Sequence, residues 1–270
     1  MRVEAITVYP IKGCRRVEVD EAVVQPWGLA ADRRWVVVDA QTDMAITLRD
    51  TTRLTQILPM PDGDGLVLRA PNQPDLAVAA PVDGPLRQIR VAFFTGPARV
   101  ADVSAHEWLS EALARDVRLV WLDDATRRPV DARYSRPEDR VNFSDVFPVS
   151  LANTASLAAL NDLILESDPL HEPVPMTRFR PNIVMSGAPA WIEDEWIGGR
   201  LRIGDVVLRA VKSIDRCVVT TIDSETGEKD REPLRTLGRH RNVGQELLFA
   251  ICLIPDTQGT IAVGDPITVL

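Results

Sequence analysis

The sequence predicts a mainly β protein with a few helices, on three observations. Short β-branched and aromatic runs recur along the chain, turn-forming clusters separate them, and helical periodicity is confined to two segments. In the first hundred residues the runs fall at 3–9, 35–39, 66–69 and 88–94. Between them lie Pro61-Asp62-Gly63-Asp64-Gly65 and Pro71-Asn72-Gln73-Pro74. This spacing predicts a small antiparallel barrel or sandwich.

The period then changes. Residues 104–115 read as a helix, with Ser104 and Glu107 in capping-box spacing and Trp108, Leu109, Ala112 and Leu113 on one face. A strand is expected at 117–122. Residues 123–139 are polar, rich in Arg and turn-like, as in a linker or a mobile active-site loop. A second helix should run from Thr154 to about 165, turning Leu157, Leu160 and Ile164 inward. Strands return at 182–186, 201–212, 217–222, 247–254 and 260–270. Ile203-Gly204-Asp205 resembles Val263-Gly264-Asp265, but two short matches do not make a repeat. A boundary near residue 125 would divide an N-terminal unit, 1–124, from a C-terminal unit, 125–270.

Composition narrows the function classes. The 270 residues are 45% hydrophobic and 26% charged, which suits a soluble globular protein with a full core. No stretch approaches the roughly 20 apolar residues of a membrane span, so no membrane partner is expected. The start, MRVEAITVYPIKGC, lacks the apolar core and cleavage site of a secretory signal, so a cytoplasmic protein is expected. A net charge of -8 argues against a nucleic-acid partner. Lys12, Lys212 and Lys229 are the only lysines among 31 basic residues. The rest are Arg, which suits two-pronged contacts with phosphate.

Cys14, Cys217 and Cys252 form no C-x-x-C pair and suggest neither a disulfide framework nor an iron–sulfur set. His106, His171 and His240 match no zinc pattern. A metal here must use few protein ligands or arrive inside an organic cofactor. By residue type, Cys217 is the best reactive candidate, because it follows a strand and adjoins Arg216, a cation able to stabilise a thiolate. Taken alone it fits a small buried hydrophobe at least as well, as most free cysteines do.

The order of motifs changes that balance. Tyr9-Pro10-Ile11-Lys12-Gly13-Cys14, Asp32-Arg33-Arg34-Trp35, Phe179-Arg180-Pro181-Asn182-Ile183-Val184 and Asp215-Arg216-Cys217-Val218-Val219-Thr220-Thr221 follow one another along the chain. In this order they resemble the MOSC family, and within it the branch of the mitochondrial amidoxime-reducing component and its bacterial relatives. Phe143-Ser144-Asp145, Asn161, 223–227 and 259–269 extend the likeness over essentially the whole chain. The resemblance implies a β-barrel MOSC domain preceded by a smaller N-terminal β-barrel.

It also implies a molybdenum cofactor, Mo-molybdopterin, with the metal held by the pterin dithiolene and by Cys217 as both ligand and catalytic residue. Pyridoxal phosphate is not expected. By motif matching, Lys12, the Gly13 N–H, Arg33, Asp145, Arg180, Asn182 and Arg216 would bind the cofactor. Asn182 equally fits a strand end, and Asp215 fits either a hydrogen bond that tunes the ligand or, more simply, a turn cap. Many family members have Ser where this chain has Gly13, which removes a hydroxyl donor and leaves the backbone N–H. The implied activity is removal of oxygen from N-hydroxylated compounds such as amidoximes, hydroxamic acids and hydroxylamines. No Rossmann fingerprint or cysteine cluster is present, so a separate electron-donor protein or reductase is expected. The alternative is a carrier of the cofactor, or of sulfur as a Cys217 persulfide, without reductase activity.

Overall fold

A computed structural model describes residues 1–270 as a β-dominated fold with three α-helices. Its largest sheet has nine strands. In spatial order these are Ile267–Val269, Arg200–Ile203, Val206–Asp215, Glu246–Pro255, Val149–Asn153, Ile183–Ser186, Arg2–Val8 and Val17–Val19, with Asn242–Val243 paired to Glu246–Pro255. Neighbours are antiparallel except Val149–Asn153 and Ile183–Ser186, which run parallel. A parallel pair needs a crossover. The helix Thr154–Ser167 (α2 in chain order) supplies it, capped by the Asn153 side chain, which accepts from the Ala155 N–H at 3.0 Å.

A second sheet orders Trp35–Asp39, Val117–Trp121, Phe94–Val100 and Leu86–Val91. The helix Val103–Leu113 (α1) packs beside it, burying Ala105, Trp108, Leu109 and Leu113. Its N-cap is Asp102, which accepts from the Ser104 N–H at 2.9 Å, so the capping-box register expected from Ser104 is displaced. Two three-stranded sheets complete the fold, one joining Gly259–Ala262 to Glu21–Gln25 and Gly28–Leu29, the other formed by Leu58–Asp62, Gly65–Arg69 and Leu76–Val78.

The N-terminal strands do not stay with the rest of the first 124 residues. Arg2–Val8 pairs with Ile183–Ser186, and Glu21–Gln25 pairs with Gly259–Ala262. One buried cluster therefore mixes Val3, Ile6, Val8 and Val24 with Leu151, Ile183, Leu208 and Leu253. A second cluster gathers Ile11, Cys14, Trp35, Leu54, Leu109 and Leu119, and Ile222 enters it from the C-terminal half. Burying such apolar surface contributes roughly 25 cal/mol per Å², so both clusters hold the halves together.

Five expected segments differ. Residues 88–94 span a hairpin tip, with Ala92 at φ +49° and Phe93 exposed, and not one strand. Residues 201–212 and 260–270 each divide into two strands around a glycine turn. Residues 217–222 form no strand; Val218–Thr221 is a short 3-10 helix. The segment 123–139 is not a loose linker. Buried Arg128 donates to the carbonyls of Asn142, Ser144 and Asp145, and Arg209 pairs with Asp139 at 2.6 Å. No helix is long and apolar enough to cross a membrane.

Candidate active site at the seam between the two halves

Cys217 stands at the start of the 3-10 turn, in extended backbone at φ -121° and ψ 179°. Two features hold this turn out of strand geometry. Thr220 N and Oγ1 both donate to the Cys217 carbonyl at 3.0 Å, and Thr221 Oγ1 donates to Val218 O at 2.8 Å. Such local side-chain bonds compete with a sheet ladder. Ile222 then plugs into the N-terminal cluster, while Arg178 Nη1 donates to the Thr221 carbonyl at 2.7 Å. The sulfur of Cys217 is thus left half-buried at the seam.

The other two thiols are different. Cys14 and Cys252 are buried, and burial pushes each thiol up to about 12. Both sulfurs are shut inside the core, which leaves Cys217 as the accessible one. Its nearest donor is Arg49, whose Nη2 lies 2.9 Å from Sγ. Arg216 does not fill that role. Its guanidinium turns inward, donating through Nε to Phe249 O at 2.8 Å and through Nη1 to Phe179 O at 2.9 Å.

The remaining cations converge from separate parts of the chain. Lys12 is buried, and its Nζ meets Asp145 Oδ1 at 2.6 Å and the Phe143 carbonyl at 2.9 Å. Burial pulls the ammonium below its usual range against the opposing pull of Asp145. The Lys12 charge holds the Asp145 carboxyl down at about 2. Gly13 has φ +84°, and a Cβ there would lie 3.0 Å from Leu54 Cδ1, so the backbone turns in a way that suits glycine.

Arg33 grips Asp32 with Nη1 at 2.7 and 3.0 Å from its two oxygens. Asp32 is fully buried and also accepts from Tyr9 N and Asn142 Nδ2. Arg180 donates to the Cys14 carbonyl at 2.7 Å. The guanidinium carbons of Arg180 and Arg33 lie 4.2 and 4.4 Å from the centroid of the buried Tyr9 ring. Asn182 is spent inside the fold. Its Oδ1 accepts from Ser150 N, Ser150 Oγ and Arg33 Nη1, and its Nδ2 donates to Thr7 O. Asp215 accepts from Leu247 N at 2.7 Å and fixes a strand pairing.

Lys12, Gly13 and Asp145 form one group and Arg33 and Asn182 another, bridged by Phe143, whose carbonyl accepts from Lys12 Nζ and whose N–H donates to the Arg33 carbonyl, both at 2.9 Å. Arg180 joins through Tyr9 and through its own carbonyl, which accepts from Arg33 Nη2 at 3.3 Å. Arg216 adjoins Cys217 and contacts Phe179 one residue before Arg180. Burial lowers Arg216 to about 10, its Nη2 has no acceptor, and no carboxylate pairs with it. Arg216 is thus a buried cation held only by the carbonyls of Phe249 and Phe179. No group of three His, Cys, Asp or Glu side chains is placed to hold a metal by protein ligands alone.

Arg49, Arg128 and Arg178 were not singled out from sequence. Each is an arginine in a loop or short turn whose partner lies elsewhere in the fold, and no local pattern marks it. Asp32 lay within a quoted motif, but only the fold shows that it anchors Arg33.

The MOSC N-terminal beta barrel domain matches residues 1–116 and the MOSC domain matches residues 138–268. Mitochondrial amidoxime-reducing component 1 of Homo sapiens is 35% identical over 99% of this chain and 82% of its own length. The component 1 protein of Mus musculus is also 35% identical, over 99% of this chain and 82% of its own. Mitochondrial amidoxime reducing component 2 of Bos taurus is 31% identical over 98% of this chain and 82% of its own. The chain belongs to the MOSC-domain family, in the form that carries the MOSC N-terminal beta barrel domain ahead of the MOSC domain.

Proposed function

We propose that this protein is a molybdenum-cofactor-dependent oxidoreductase that removes oxygen from N-hydroxylated compounds, with Cys217 as the protein ligand to the metal. The observation that carries this is the accessible Cys217 sulfur beside a cluster of cations in excess of their carboxylates. Relatives named for amidoxime reduction match almost the whole chain.

The residues fit the group. A thiolate is the fitting ligand type for a soft, redox-active metal. The orphaned Arg216 Nη2 and the Arg180 guanidinium, neither paired with a carboxylate, suit a ligand that carries phosphate. Lys12, the Gly13 N–H, Arg33, Arg180 and Arg216 would hold the anionic and polar groups. Asp145 and Asn182 would act by setting Lys12 and Arg33 in place. When bound, the cofactor supplies the two-electron chemistry that breaks the N–O bond. Reduction of an amidoxime to an amidine consumes two electrons and two protons and releases one water.

Electrons come from a separate donor protein in this proposal. The division into units 1–124 and 125–270 is proposed on the same footing, supported by family matches that end at 116 and resume at 138. No membrane-spanning helix is present and the relatives are named as mitochondrial; a cytoplasmic place for this chain is our proposal, tested by cell fractionation.

The deciding experiment is turnover of benzamidoxime to benzamidine by protein made in a cofactor-competent host, with a reduced viologen as donor. Molybdenum bound without turnover would favour the carrier alternative.

A further inference from the structure

We propose that Arg49 is a specificity-determining residue that makes the mouth of the Cys217 site prefer N-hydroxylated substrates bearing a carboxylate or another anionic group. This rests on the functional reading above and names the substrate class of the same site.

The fold builds Arg49 into place. Ile46 and Leu48 are buried in the N-terminal cluster and anchor the segment. Asp50, the residue after Arg49, closes a turn by accepting from Thr47 N and Thr47 Oγ1, both at 2.8 Å. Arg49 N donates to Thr47 Oγ1 at 3.2 Å. The anchored turn carries an exposed guanidinium to the C-terminal half, where Nη2 reaches Cys217 Sγ at 2.9 Å.

What sets Arg49 apart is its lack of a strong partner. Arg33 is held by Asp32, Lys12 by Asp145, Arg178 by Asp223 and the Thr221 carbonyl, and Arg180 and Arg216 by backbone carbonyls. Arg49 has no carboxylate within salt-bridge distance, and its one side-chain partner is the sulfur. Sulfur is a weak acceptor, whereas a carboxylate offers two strong ones in the geometry of a guanidinium fork. An anionic group on a substrate arriving at Cys217 meets that fork at the exposed side of the sulfur. A neutral substrate gains nothing from it.

The test compares benzamidoxime with 4-carboxybenzamidoxime, using a viologen donor, in the holoenzyme and in Arg49→Ala. Arg53→Ala, which removes an exposed charge four residues away, is the control. We expect the carboxylated-to-neutral ratio of kcat/KM to fall about fivefold in Arg49→Ala and to hold in Arg53→Ala. Molybdenum content should match the unmodified protein. An unchanged ratio would overturn the proposal, and so would loss of molybdenum from Arg49→Ala, which would place Arg49 in the cofactor cradle.

A second readout needs no cofactor. In cofactor-free protein, Cys217 is alkylated with anionic iodoacetate and with neutral iodoacetamide. The ratio of the two rates cancels the thiolate fraction and reports the local charge. It should fall severalfold in Arg49→Ala, and a constant ratio would overturn the proposal. If neither amidoxime is reduced by any variant, the functional reading fails, and this alkylation ratio still decides whether Arg49 draws anions to the sulfur.

Discussion

Lys12 Nζ lies 2.6 Å from Asp145 Oδ1, joining residues 133 positions apart in the sequence. The two groups are unequally placed, the Lys12 side chain being 10% exposed and that of Asp145 70% exposed. Asp145 thus compensates a buried ammonium from the solvent side and leaves the ammonium available to a second anion. Arg128 holds the 142–145 backbone from beneath through three carbonyls. The segment 123–139 positions this pair although it contributes no atom to it.

Cofactor retention should separate from chemistry. Charge-assisted contacts contribute roughly 1.5–3 kcal/mol each, so losing one should weaken retention by about one to two powers of ten. Lys12→Ala and Arg180→Ala should purify with low molybdenum occupancy. The loaded fraction should turn over at nearly the normal rate when activity is normalised to metal. Full occupancy with lost turnover would place these residues at the reaction centre.

The loops beside the site carry a pH-dependent clamp. His171 Nε2 lies 2.8 Å from Asp230 Oδ2, linking the segment after α2 to the segment after Thr221. Burial pulls the imidazole down, but the bonds to Asp230 and the Glu172 carbonyl outweigh it and leave the group above its ordinary 6.5. A raised folded value means that the stabilisation is fully present below 6.5 and is lost as pH rises through the folded value. His171→Gln should therefore lower the melting temperature at pH 5.5 and much less at pH 8.5. An equal loss at both would show that His171 acts by packing alone.

Much of the fold was legible because it rests on local signals. Runs of β-branched and aromatic residues located strands such as Arg2–Val8, Trp35–Asp39 and Glu246–Pro255 but not Glu21–Gln25 or Val149–Asn153, and the second helix starts at Thr154 as expected. The Val-Val-Thr-Thr-Ile run after Cys217 misled, since β-branched residues favour strands. Here each threonine hydroxyl bonds back to a carbonyl three residues earlier, and Ile222 is drawn into the other half's core. The site was legible only as ordered motifs. Cys217 and Arg49 meet across 168 positions, and nothing around Arg49 announces that meeting. Arg216 adjoins Cys217 in sequence, which suggested a contact with the sulfur, yet the guanidinium points to Phe179 and Phe249.

Electron supply gives an independent check. With NADH as sole reductant, protein free of contaminating reductase should not convert benzamidoxime, whereas a reduced viologen should support conversion. The motivation is the absence of a Rossmann glycine fingerprint or an iron–sulfur cysteine set in the sequence. Turnover with NADH alone would reveal a redox module in the chain.

In the proposed function Cys217, and no other cysteine, holds the metal. The most direct measurement is molybdenum per chain and benzamidoxime turnover in Cys217→Ser, Cys14→Ala and Cys252→Ala, made side by side in a host that loads other molybdenum enzymes. The unmodified protein should carry about one molybdenum and one pterin per chain, as one cofactor site requires. Cys14→Ala and Cys252→Ala should keep the metal and the activity, with a stability loss on the order of 1 kcal/mol for the buried sulfur removed. Cys217→Ser, which replaces a soft ligand with a hard one, should show no turnover. Full activity in Cys217→Ser, or its loss in either of the other two while their folds persist, would contradict the account.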